Sequence, residues 1–197
     1  MASEADLIQR LEFLSETEKL KGVLRCNRPM HQDRRENSAE HSWSLALMAM
    51  LLADHADENV DPFRVLKMLI VHDLVEIDAG DTFIYDAVSD PSKREREEAA
   101  ANRLFNLLPE GQGEEFLELW REFEDRETPE AKFAGGLDRL CPLLQNIYHR
   151  GNLWRERGIK YEQAHTINSV ISAGSSSLWK YASRLMNEAR EAGFFSE

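Results

Sequence analysis

The chain has 197 residues, 42% of them apolar, which is enough to bury a sizeable core in one domain or at most two. Its 36 acidic and 24 basic residues leave a formal net charge of −12, which disfavours a nucleic-acid polymer as partner, because backbone binding wants a clustered basic surface. A small anion stays within reach, since a few well-placed arginines hold one phosphate against an unfavourable overall field.

The opening stretch MASEADLIQR has no basic-then-apolar signal pattern. Leu7, Leu11 and Leu14, with Ile8 beside them, form an i, i+4, i+7 stripe that predicts a first helix running out near Gly22. A second helix is predicted from NSAEH: Asn37 or Ser38 caps it, Glu40 suits the first turn, and Trp43, Leu45, Leu47, Met48, Leu51 and Leu52 follow. Its apolar run Leu45–Ala53 is too short to span a bilayer, so a cytoplasmic protein without membrane contact is expected. Asp61-Pro62 opens a third helix, with proline at the first helical position where its missing N–H costs nothing, and FRVLKMLIVHDLVEIDAG continues it to Gly80.

Asp90-Pro91 is expected to start a fourth, charged helix, SKREREEAAANRLFNLL, whose alternating signs read as a solvated face. A fifth runs from about Glu114 to Phe123. Thr128-Pro129-Glu130 opens a sixth, EAKFAGGLDRLCPLLQNIYH, interrupted by Gly135-Gly136 and strained by Pro142. After the loop RGNLWRERGIK come YEQAHTINSVIS and, past Gly174, SSSLWKYASRLMNEAREAG. There is no alternating strand pattern, repeat or dividing linker, so one all-α domain over residues 1–197 is expected. The two cysteines, Cys26 and Cys141, form no metal or disulfide motif and read as free thiols.

Within the third helix, IVHDLVE puts three titratable side chains into an apolar run, where desolvation makes them expensive unless something holds them. His72 and Glu76 are four residues apart and Asp73 and Glu76 three, so all project from neighbouring positions. His41 in the second helix and Asp138 past the glycine pair have inward-facing apolar neighbours and are the candidates to complete a site. Two imidazole nitrogens and two carboxylate oxygens suit one divalent transition ion, Mn, Co, Fe, Ni or Zn, with positions open to water and a phosphate oxygen. Without thiolates this is no closed structural zinc site. His55 lies four turns from His41 and cannot share the ion, and His31, His149 and His165 lack a ligand-like context. Trp43, Trp154 and Trp179 read as core or interface packing rather than base-stacking platforms.

The order His41, His72-Asp73, Asp138, with ENSAEHSW, HDLVEIDAGD and EAKFAGGLDRL around them, resembles the HD-domain metal-dependent phosphohydrolases. It is most similar to their small single-domain branch, which contains the bacterial 5′-deoxynucleotidases, and the likeness runs from about Leu11 to GSSSLWKYASRL. The resemblance implies a compact helical bundle with a metal at those four residues. It also implies catalytic carboxylates at Glu76, handling the proton of the attacking water, and Asp81, serving the leaving group or orienting substrate; Asp78 falls on another face. The phosphate-binding arginine precedes the first histidine in a loop that here offers Arg25, Arg28, Arg34 and Arg35, with Arg25 the best match and Arg28 second. The expected function is removal of the 5′-phosphate from (deoxy)nucleoside 5′-monophosphates. A phosphodiesterase or other nucleotide phosphohydrolase on the same site is the alternative, and a helical binding module with a structural ion fits less well, because a scaffold has no use for extra acids beside its ion. Helical relatives of this kind often pair, which makes a homodimer the assembly to look for.

Overall fold

A computed structural model describes residues 3–87 and 92–197 of the chain. Among these residues there are helices and loops but no strand, and the nearest approach to a sheet is one antiparallel bridge between Leu24 and Asn37. The α-helices are α1 (Glu4–Thr17), α2 (Ser38–Leu52), α3 (Pro62–Val71), α4 (Glu76–Ala79), α5 (Ile84–Ala87), α6 (Lys93–Phe105), α7 (Gln112–Asp125), α8 (Pro129–Tyr148), α9 (Asn152–Glu156), α10 (Tyr161–Asn168) and α11 (Ser176–Glu191). Asp90-Pro91, the expected start of the charged helix, lies outside the described residues. The segment read as the loop RGNLWRERGIK contains the short helix α9.

Local chemistry explains most starts. The Asn37 side chain accepts from the Glu40 N–H while Glu40 reaches back to the Asn37 N–H, which settles the cap of α2 on Asn37. Asp61 and Thr128 cap α3 and α8 one way only, their side chains accepting from the N–H groups of Phe63 and Ala131, and each is followed by proline. The apolar stripe of α1 is a different matter, because Leu7, Ile8, Leu11 and Leu14 are all more than half exposed. The helix is held instead by Phe13, edge-on to Phe116 at 5.9 Å, and by an Arg10–Gln112 hydrogen bond of 2.9 Å. Periodicity reports an apolar face, not the side on which the rest of the fold lies.

Gly135 and Gly136 do not interrupt α8, which runs unbroken over its 20 residues and continues through Pro142. The helix is packed on most sides, so tertiary burial outweighs a propensity cost of about 1 kcal/mol per glycine. The small residues serve close approach: a Cβ on Gly136 would stand 3.5 Å from the backbone of Ile171, in the 3₁₀ segment Ser169–Ala173 that lies against α8. Pro142 deprives the Asp138 carbonyl of its helical donor, while the Pro142 carbonyl takes the side-chain amides of Asn27 (3.3 Å) and Asn146 (2.9 Å).

Two apolar clusters meet at the end of α3. Met68 and Leu69 enter one, with Leu45, Phe133, Leu137 and Leu143. Val71, Leu74 and Val75 enter the other, with Phe13, Leu104, Phe105 and Trp120. Between α3 and α4 the chain tightens into a 3₁₀ turn, His72–Val75. The residues left over by the two clusters, His72, Asp73 and Glu76, therefore face the seam, where α2 and α8 also arrive. Mid-helix 3₁₀ geometry is a frequent mark of a functional position.

Candidate active site

The 3₁₀ turn lets adjacent side chains converge. His72 Nε2 is 2.9 Å from Asp73 Oδ1, and ligating atoms of His41, His72 and Asp73 all lie within 4.8 Å of one another. Asp138, from α8, adjoins them through the two rings, with Oδ1 at 3.0 Å from His41 Nε2 and 3.7 Å from His72 Nε2. All four residues are buried.

These residues fit a cation. His72 Nδ1 is 2.9 Å from the Leu69 carbonyl, an acceptor, so Nδ1 carries the proton and the Nε2 lone pair is left facing carboxylate oxygens, an arrangement that needs positive charge between them. His72 Nε2 and His41 Nδ1 are buried atoms without a hydrogen-bond partner. A proton is the alternative occupant of the place beside His72 Nε2. Burial would lower the His72 pKa, yet Asp73 and Asp138 raise it to about 10, whereas burial and the Arg25 charge hold His41 down at about 4. Asp73 is held at about 2, because His72 and Arg25 outweigh the burial that would raise it.

Around this centre stands a second ring of charge. Glu76 Oε2 accepts from Ser38 Oγ at 2.5 Å, and burial together with the neighbouring Asp73 carboxylate raises its pKa well above the ordinary range. Asp81, placed by the turn at Gly80 (φ 76°), is raised as well, chiefly by burial. Arg25 Nη1 lies 2.9 Å from Asp73, 3.3 Å from Asp81 and 3.8 Å from Glu76, and its Nε lies 3.7 Å from Glu36. Glu36, Asp73, Glu76, Asp81 and Asp138 thus gather around the guanidinium groups of Arg25, Arg139 and Arg126.

The cleft that opens on this cluster has a volume of about 240 Å³ and reaches from Arg25 and Asn27 past Thr82 and Phe83 to Arg126 and Arg139. It brings together Arg25, His72, Asp73, Glu76, Asp81 and Asp138, with His41 buried beneath. Arg28 is not among them. It pairs with Asp33 at 2.9 Å and lines a neighbouring cavity of about 210 Å³ that shares Cys26 and Asn27 with the cleft. Arg34 is tied to Glu40, and Arg35 donates to the carbonyls of Leu24 and Arg25. Asp78 pairs with Arg103 outside the cleft. His55 meets Ser177, His31 meets Tyr148, His149 meets the Pro29 carbonyl and His165 packs on Trp179, all away from the cluster. Trp154 stacks on Phe195 in the core, while Trp43 is exposed.

Several cleft residues escape a reading of the sequence. Glu36 holds the Gln145 amide at 2.6 Å and stands 3.6 Å from His41, yet in ENSAEH it looks like one more surface acid before a cap. Lys93 and Glu97 line the cleft although their run reads as a solvated face. Arg139 forms an ion pair with Asp138 at 2.9 Å, and its adjacency to that residue was the available signal. Arg126 carries no sequence signal.

Comparison with known proteins agrees with this geometry. Residues 17–179 match the HD domain family. Over 136 residues, 68% of this chain, the sequence is 34% identical to human 5′-deoxynucleotidase HDDC2, and the match spans about two thirds of that protein's length, 65%. The mouse protein of the same name is 32% identical over 146 residues, 74% of this chain and 72% of its own. The crystal structure of a predicted metal-dependent phosphohydrolase from Magnetospirillum magnetotacticum MS-1 superposes with a TM-score of 0.94 at 47% identity, covering 98% of this chain and 97% of that one.

Proposed function

The chain belongs to the HD-domain family, and on that premise we propose that it is a metal-dependent phosphohydrolase that removes the 5′-phosphate from deoxynucleoside 5′-monophosphates, releasing nucleoside and phosphate. The observation that carries this reading is one buried cleft in which a His-His-Asp trio adjoins two further acids of raised pKa and an arginine.

His41, His72, Asp73 and Asp138 would hold a divalent ion, which would supply Lewis acidity to the hydrolysis. Glu76, pinned by Ser38, takes the proton of the attacking water as its oxygen bonds to phosphorus. The bond from phosphorus to the 5′-oxygen breaks, and Asp81, whose burial favours the protonated form, returns a proton to that oxygen. Arg25 offers its guanidinium to the phosphate and keeps Asp73, Glu76 and Asp81 in place. Phe83, beside Tyr85 at 5.0 Å between ring centres, gives the nucleoside an aromatic wall.

The test is a phosphate-release screen. Metal-stripped protein is supplied in turn with Mn, Co, Fe, Ni or Zn and offered deoxy- and ribonucleoside 5′-monophosphates, 3′-monophosphates and diesters. Release from 5′-monophosphates with at least one metal, faster for the deoxy series, is the expected result. Cleavage of diesters alone would replace this reading with a phosphodiesterase.

In the same reading residues 1–197 work as one domain, supported by the contacts of α8 with α2, α3, α7, α10 and α11. A cytoplasmic setting accords with two free thiols; among the described residues no helix is long and apolar enough to cross a membrane. Two copies pair through α2, where Trp43, Leu47, Met50 and Leu51 form an exposed i, i+4, i+7, i+8 stripe. Light scattering is expected to give twice the chain mass of 22.7 kDa, and Leu47→Glu with Leu51→Glu to return it to one. A monomeric parent protein would end the pairing.

A further inference from the structure

The acids of the cleft saturate one arginine and leave another nearly bare. Arg25 has Glu36, Asp73, Glu76 and Asp81 within 4 Å, so much of its attraction for an incoming anion is already spent. Arg139 is ion-paired with Asp138 at 2.9 Å. Arg126 lines the same cleft with its side chain only 24% exposed. Its Nε reaches the Phe123 carbonyl at 3.3 Å and its guanidinium stands 4.8 Å over the Phe123 ring. The one carboxylate oxygen near it among the described residues, Asp138 Oδ2, is 3.7 Å from Nη2, outside hydrogen-bond distance. Neither Nη atom has a hydrogen-bond partner among those residues. These Nη donors open on the cleft, where an acceptor of negative charge can take them.

The backbone goes out of its way to hold this group. Arg126 follows α7 in the left-handed conformation, φ 55° and ψ 33°, where glycine is the common occupant. Within α8, where alanine would favour the helix, glycine stands at 135, because the Arg126 guanidinium occupies the space a Cβ would take. An arginine where the backbone favours glycine and a glycine where the helix favours alanine have one common result, a guanidinium fixed at the cleft beside Asp138.

We propose that Arg126 is a second phosphate-binding residue, whose free Nη atoms take a non-bridging oxygen of the substrate phosphate. The inference rests on the phosphohydrolase reading above and adds a clamp that works beside the heavily neutralised Arg25.

Two variants separate this role from support of the metal site. Arg126→Gly removes the guanidinium and suits the left-handed backbone; Gly135→Ala keeps the arginine but evicts it from its seat and favours the helix. Calorimetric titration of inorganic phosphate into metal-loaded protein, elemental analysis and thermal melting are read for each. Both variants are expected to keep their metal and a melting temperature no lower than the parent's, while phosphate affinity falls roughly ten- to a hundredfold, the scale of a charge-assisted hydrogen bond. Affinity unchanged in both variants overturns the proposal, as does a parent protein that binds no inorganic phosphate. Loss of metal together with affinity overturns it too, by making Arg126 a support of Asp138. Should Gly135→Ala fail to fold, Arg126→Gly decides alone. If phosphate binding depends on Arg126 but the parent releases phosphate from no nucleoside monophosphate, only the functional reading fails.

Discussion

Asp138→Ala is expected to abolish both metal content and phosphate release. Asp138 is buried, its Oδ1 touches His41 Nε2 and approaches His72 Nε2, and its Oδ2 receives Arg139. Removing the carboxylate takes away a proposed ligand and leaves two histidines beside two guanidinium groups, with one fewer negative charge to attract a divalent cation. A bound ion would contribute several kcal/mol of transition-state stabilisation, and at about 1.4 kcal/mol per tenfold its loss would cost roughly a thousandfold or more in turnover. Elemental analysis and a phosphate-release assay on the same preparation check this. Asp138→Asn keeps the shape and loses only charge, so it should show the same loss of metal with smaller disturbance of the fold. A variant that keeps its metal would show that Asp138 serves the rings and not the ion.

How much of this was legible in the sequence depends on what each residue's role required. Helix starts were readable because capping is local: Asn37, Asp61 and Thr128 act within three residues of themselves. The convergence of His72, Asp73 and Glu76 was readable because spacing along one helical segment fixes it, although the 3₁₀ turn that completes it was not. Arg25 and Arg28 could not be told apart by spacing in a loop; hydrogen bonds of Arg25 N to Glu36 O (2.9 Å) and Glu36 N to Asn27 O (2.9 Å) set that register. The exposed stripe of α1 and the unbroken α8 misled for a related reason, since both turn on what packs against the helix. Gly135 reads as a helix breaker until Arg126, nine residues earlier and on another helix's end, is seen filling its place. Glu36 and Arg126 take their character from burial beside charges far away in sequence, which no local pattern encodes.

Glu76→Gln is the variant that separates proton handling from ligation. Glutamine keeps the volume and an oxygen to accept from Ser38 Oγ, so the side chain should stay where Glu76 Oε2 now sits, 2.5 Å from that hydroxyl. Stability should not suffer. Burial and the Asp73 charge raise the folded pKa above the unfolded value of 4.5, so the folded chain keeps a proton that the unfolded chain gives up. The stability tied to that proton is fully present below pH 4.5 and is lost as pH rises through the folded pKa, and a glutamine, which does not titrate, escapes the loss. Thermal melts of the two metal-stripped proteins at neutral pH should therefore show the variant at least as stable as its parent. In the metal-loaded protein the nearby divalent charge would favour the Glu76 carboxylate, which can then accept the proton of the attacking water; glutamine cannot, and removing a general base costs roughly a hundredfold or more in turnover. The expected outcome is full metal content, a KM for the monophosphate within about threefold of the parent's, and kcat down by that factor, because the loss falls on a step after binding. Metal lost along with activity would place Glu76 among the ligands or their essential supports. Unchanged kcat would remove it from the chemistry and leave Asp81, a raised carboxyl within reach of Arg25 in the same cleft, as the candidate base.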